Sequence, residues 1–95
     1  MSEFTGTGNN RSEANKKIVG KYTMSVAVRL TSVEAHRIRR FERGGLLNPI
    51  RTETRQRLFS DQTIELIKEI ARLENQGINM PGIKAILEMI RREKG

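Results

Sequence analysis

Apolar positions along this chain fall into short helical stripes separated by glycine, proline and hydroxyl residues. In Ser25-Val-Ala-Val-Arg-Leu30, Val26, Ala27 and Leu30 share one helical face, with Ser25 placed to cap the first turn. Thr31-Ser32-Val33 then predicts a tight turn with Val33 turned inward. A second helix is predicted over Ala35–Arg43, where Ile38 and Phe41, one turn apart, face inward. Gly44-Gly45 ends it, because glycine adopts a left-handed backbone at little cost. Two short helices joined by such a turn have the layout of a helix-turn-helix, here residues 25–44.

Leu46 and Leu47 are apolar and Pro49 imposes extended backbone, so residues 48–59 read as a small wing. Ile50-Arg51 and Arg57-Leu58-Phe59 form its two strands around a tip at Thr52–Gln56. Strands this short are not stable alone and must lie against helices. Ser60 caps a third helix over 61–76, with Asp61 at the positive end of its dipole. Its inward stripe is Ile64, Ile67, Ile70, Ala71 and Leu73, and Gly77 ends it. Asn79 caps a fourth helix over 80–93, where Pro81 falls in the first turn and costs no hydrogen bond. Ile83, Ile86, Leu87 and Ile90 form its buried stripe, with Met80 and Met89 as core filler. The fold expected is mainly α: a winged helix-turn-helix domain over 22–93, with two further helices behind it. Residues 1–21, rich in glycine, asparagine and lysine, read as a flexible polar and basic arm.

Charge sharpens the picture through its placement. The 95 residues carry a net charge of +7. Residues 61–95 balance six bases with six acids, whereas residues 22–60 hold eight cations against three acids. All eight are arginine, whose planar fork fits phosphate oxygens and the guanine edge. Seven lie within Arg37–Arg57, on a helix and then a hairpin. The implied partner is a polyanion. With few aromatics to stack on single-stranded bases, double-stranded DNA is favoured over single strands.

A recognition helix sets its N-terminal residues against base edges in the major groove. If Ala35–Arg43 is that helix, His36, Arg37 and Arg40 stand best placed for base edges, Arg39 nearer the core face for phosphate, and Arg43 beside them. Arg51, Arg55 and Arg57 of the wing reach flanking phosphates or the minor groove. Glu42 pairs with a nearby arginine. Taken singly, each of these cations could be no more than part of a solvated face; their clustering carries the reading.

Tyr22-Thr-Met-Ser-Val-Ala-Val-Arg-Leu30 and Ile38-Arg-Arg-Phe-Glu-Arg-Gly-Gly-Leu-Leu47 resemble the DNA-binding domain of the MerR family of bacterial transcription regulators. There the second segment typically runs Leu-Arg-Tyr-Tyr-Glu, two variable residues, then Gly-Leu. The wing Pro49–Ser60 and the run Gln76-Gly-Ile-Asn-Met-Pro-Gly-Ile-Lys84 are most similar to the branch containing GlnR, TnrA and HspR. The resemblance spans Tyr22–Ile90. It implies that Arg39 contacts the DNA backbone and that Arg57 is the wing arginine ahead of the aromatic position, here Phe59. Arg51 falls on a commonly basic wing position. The chain departs from the pattern where Arg40 replaces a tyrosine, where Thr54-Arg-Gln56 replaces the wing glycine, and where Ser32 stands in the turn. It ends at Gly95, after the fourth helix, which fits either a stand-alone minimal regulator or the DNA-binding part of a longer one; no sensing module is expected in it.

The expected function is sequence-specific regulation of transcription, as a repressor binding an inverted repeat as a homodimer at least on DNA, in the cytoplasm. Two rivals remain: a DNA-bending accessory factor of excisionase or packaging type, and a protein-interaction module using the third and fourth helices. An enzyme is not expected, since His36 is the lone histidine and no carboxylate pair or phosphate loop appears. The absence of cysteine excludes disulfides and thiolate metal sites, and no cofactor or metal is implied. No apolar run is long enough to span a bilayer.

Overall fold

The structure, a computed structural model, describes residues 19–94. Helices α1 (Met24–Thr31) and α2 (Ala35–Arg43) form the helix-turn-helix, strands β1 (Ile50–Arg51) and β2 (Arg57–Leu58) form the wing, and α3 (Asp61–Asn75) and α4 (Met80–Lys94) follow. The arm expected over residues 1–21 lies outside the described residues up to position 18. Its last residues are held to the domain: a Cβ on Gly20 would come within 2.7 Å of the Leu58 Cβ, so only glycine fits against the wing there.

The two helix-turn-helix helices are separated by a turn at Ser32, which adopts φ 59° and donates its N–H to the Val28 carbonyl. Thr31 Oγ1 donates to the Ala27 carbonyl at 2.8 Å and accepts from Val33 N at 3.1 Å, fixing the chain as it leaves α1. The first helix differs from expectation in two ways. Thr23, not Ser25, is its N-cap, one residue before Met24. Its inward face is Met24, Ala27 and Val28, whereas Val26 and Leu30 are exposed. Met24-Ser-Val-Ala-Val-Arg-Leu30 carries two apolar stripes that share Ala27, and packing against α3 selects the one with Met24 and Val28.

The wing is antiparallel, pairing Ile50 with Leu58 and Arg51 with Arg57. Beyond β2, Phe59 and Tyr22 exchange backbone hydrogen bonds of 2.7 and 3.0 Å, so the segment entering α1 serves as a third edge of the hairpin. Asp61, the first residue of α3, accepts from Tyr22 Oη at 2.6 Å and from Lys21 Nζ at 2.7 Å. The hydrogen bond from Lys21, and then that from Tyr22, hold its carboxyl below the usual carboxylate range. Ser60 caps α3 through Thr63 N, and Asn79 Oδ1 accepts from Gly82 N at 3.0 Å in the first turn of α4.

One core joins the four helices and the segments on either side of the wing. Phe41 and Ile38 of α2, Leu47 after it, Phe59 after the wing, Ile67 and Ile70 of α3 and Ile83 of α4 are all fully buried. Each such side chain contributes about 1.5–3 kcal/mol by leaving water. The α3 stripe is the one expected, but Met89 and Ile90 of α4 are exposed rather than packed inside. They lie in the second half of α4, beyond the buried Ile83 and the half-buried Ile86 and Leu87.

Candidate nucleic-acid interface

Burial of Ile38 and Phe41 fixes the rotation of α2 about its axis. Residues on a helix advance by about 100° each, so His36 and Arg43 point directly away from the core, and Arg39 and Arg40 border them on either side. His36, Arg39 and Arg43 are exposed. Arg37 and Glu42 lie on opposite flanks, close to the neighbouring elements, and each flank ends in an ion pair.

On one flank, Glu74 at the end of α3 receives two arginines. Arg37 donates Nε at 3.2 Å and Nη2 at 2.7 Å to Glu74 Oε1, and Arg40 donates Nη2 to Oε2. Burial alone would raise the Glu74 carboxyl, but the hydrogen bonds from Arg37 and Arg40 outweigh it and hold the carboxyl below its ordinary value. Both guanidinium groups also lie over the Phe41 ring, 5.8 and 5.7 Å from its centroid, within cation–π range. On the other flank the polarity is reversed. Glu42 of α2 accepts from Arg57 Nε at 2.7 Å and from Arg51 Nη2 at 2.7 Å, joining both wing strands to the helix.

The wing tip is a four-residue turn, with Arg55 N donating to the Thr52 carbonyl at 2.8 Å. Thr52 Oγ1 accepts from Gln56 N at 3.1 Å and is 3.0 Å from Thr54 Oγ1. Arg55 takes φ 69°, the conformation that a glycine would supply. Its side chain is exposed, and Arg51, Thr52, Glu53 and Arg55 line an open hollow at the hairpin.

The eight candidates therefore divide by what they touch. Arg39, Arg43 and Arg55 are exposed and paired with no acid among the described residues; His36 is exposed with Glu34 Oε1 at 3.7 Å. Arg40, Arg51 and Arg57 each give one nitrogen to a carboxylate and keep further N–H donors free among the described residues. Arg37 departs from expectation: its side chain is only 21% exposed and spends two nitrogens on Glu74. It precedes Phe41 by one turn and so lies beside the core, where Arg39 had been placed; Arg39 is the one turned outward. Glu42 has the structural role expected of it. Glu74 was missed, although it continues the inward stripe of Ile67, Ile70 and Ala71. A carboxylate at an inward register needs a cationic partner, and that was the available signal.

Residues 22–90 match the family model for MerR helix-turn-helix regulatory proteins. The chain is 39% identical over 69 residues to a Streptomyces coelicolor protein assigned as heat shock protein HspR, covering 72% of this chain and 46% of that one. It is 38% identical over 68 residues to the transcriptional regulator GlnR of Bacillus cereus, covering 72% of this chain and 53% of the relative. Among solved structures it resembles HiNmlR, a MerR family regulator lacking the sensor domain, bound to promoter DNA. There the TM-score is 0.68 and the identity 28%, covering 73% of this chain and 53% of that one. The chain thus spans about half the length of these relatives. The match to the family model takes in the helix-turn-helix, the wing, α3 and most of α4: this chain belongs to the MerR family of helix-turn-helix regulatory proteins.

Proposed function

We propose that this chain binds double-stranded DNA in a sequence-specific manner as the DNA-binding unit of a cytoplasmic transcription regulator. The observation that carries the reading is the outer face of α2, where Arg39 and Arg43 meet no acid among the described residues and Arg40 keeps N–H donors free. His36, Arg39, Arg40 and Arg43 form the outer face of α2, and two ion pairs fix the wing, with Arg51, Arg55 and Arg57, beside that face. Such a pair of elements, one helix and one hairpin, matches a major groove and its flanking backbone. HiNmlR, with a similar domain, is bound to promoter DNA.

The finer reading is a repressor that acts as a homodimer on an inverted repeat, with two copies of α2 in successive major grooves. Exposed apolar side chains outside the core, Val26 and Leu30 on α1 and Met89 and Ile90 on α4, support contact with a second subunit. Selection of bound sequences from a random duplex pool, with the mass of the protein measured on and off the selected DNA, tests both parts. A twofold-symmetric site carrying two protein chains is expected. Equal binding to every duplex would favour the architectural reading, and no binding at physiological salt would end the DNA-binding one.

A further inference from the structure

Arg37 and Arg40 share one carboxylate but are left with different capacities. Arg37 gives Nε and Nη2 to Glu74 Oε1, its Nη2 also reaches Asn75 Oδ1 at 3.3 Å, and its side chain is 21% exposed. Arg40 gives only Nη2, to Oε2; its Nε and Nη1 have no partner among the described residues, and its side chain is 40% exposed. Arg40 lies one turn from both His36 and Arg43, on the ridge of α2 that faces outward.

We propose that Glu74 is a positioning residue for sequence discrimination: anchored by Arg37, it takes one Nη2 hydrogen of Arg40 and aims the guanidinium so that Nη1–H and the second Nη2–H meet a guanine edge as a preset fork. The inference rests on the DNA-binding reading above and adds to it a residue of α3, a helix that reads no base in that scheme. The physical case has two parts. A guanidinium already held by one nitrogen and lying over Phe41 within cation–π range loses little rotamer freedom on forming a bidentate contact. The adjacent carboxylate also offsets the charge of Arg40, which weakens its attraction to phosphate anywhere along a duplex. A guanine edge requires two N–H groups in one plane, whereas a phosphate requires only charge. Glu74 thereby favours base recognition over indiscriminate binding.

The test compares the unaltered chain, Glu74→Gln, Arg40→Ala, Arg40→Lys and the double variant Glu74→Gln/Arg40→Ala. Each is titrated against the selected duplex and a scrambled duplex at one salt concentration, beside a thermal melt. Glu74→Gln is expected to lower the ratio of specific to scrambled affinity about tenfold, the scale of one bidentate base contact, without weakening scrambled binding. Arg40→Lys, which keeps the charge and loses the fork, should lower the ratio similarly, and the double variant should fall no further than Arg40→Ala. Equal weakening on both duplexes by Glu74→Gln, or losses from Glu74 and Arg40 that multiply, would reduce Glu74 to a structural tie and overturn the proposal. If the unaltered chain discriminates and Glu74→Gln discriminates as well, only the role of Glu74 fails. If the unaltered chain binds neither duplex, the DNA-binding reading fails first.

Discussion

Arg57 Nε donates to Glu42 Oε1 at 2.7 Å, across the gap between the wing and α2, while Arg51 holds the other oxygen of the same carboxylate. Two residues of one hairpin are thus tied to one of a helix. Glu42 is 18% exposed, so solvent competes weakly for it. Replacing it by glutamine leaves two guanidinium groups without their anion, at a cost of about 1–3 kcal/mol. The melting temperature of Glu42→Gln should fall by roughly 5–15 °C, read by circular dichroism. An unchanged melt would remove the hub from the account of how the wing is held.

Arg39 and Arg43 are exposed and bear on no packing. Their replacement by alanine should leave the melting temperature unmoved while making duplex binding less sensitive to salt. Each lost phosphate contact lowers the slope of log affinity against log salt by about 0.9. Arg57→Ala should lower the slope likewise, weaken binding to all sequences, and also reduce stability, since Arg57 is tied to Glu42. A full salt slope in Arg39→Ala would show that Arg39 faces no phosphate.

Acid should loosen α2 from α3 through Glu74. Its carboxyl is lowered in the folded chain, so its contribution to stability is present above the unfolded carboxylate value of about 4.3. That contribution is lost as pH falls through the lower, folded value. The melting temperature should therefore decline on acidification below about pH 4, and Glu74→Gln should flatten that decline relative to the unaltered chain. Asp61, lowered by Lys21 and Tyr22, contributes with the same sign. An identical acid profile with and without Glu74 would contradict the assignment.

Arg55 separates stability from binding at a single position. At φ 69° a side chain is strained, and glycine relieves about 1–2 kcal/mol of that while adding freedom to the unfolded chain. Arg55→Gly should therefore raise the melting temperature slightly, by roughly 2–4 °C. The same change removes a cation from the wing tip and should weaken duplex binding. A variant both less stable and undiminished in binding would refute the reading of this tip.

Where a pattern was local, the sequence carried it well. Ala35–Arg43 has the predicted bounds, because Ile38, Phe41 and the two glycines after it leave α2 one register and one end. The five inward residues of α3 follow from a stripe that no competing stripe contradicts. In α1 there were two stripes, and nothing within it says whether Val26 and Leu30 or Met24 and Val28 turn inward; α3 decides. Met89 is exposed for the related reason that apolar character does not itself supply a surface to cover it. At the site, His36 and Arg43 were legible as outward from α2 alone, whereas Arg37 and Arg39 were read the wrong way round. The division of labour between Arg37 and Arg40 was not legible, because it depends on Glu74, 37 and 34 residues further along the chain.

The central claim is that the outer face of α2 and the wing act as one surface toward duplex DNA. Backbone amide shifts recorded by nuclear magnetic resonance during titration with the selected duplex test it most directly. Amides of His36–Arg43 and of Arg51–Arg57 should move together along a single binding curve. Saturable binding that leaves both segments unmoved, with the shifts gathered elsewhere on the domain, would contradict it.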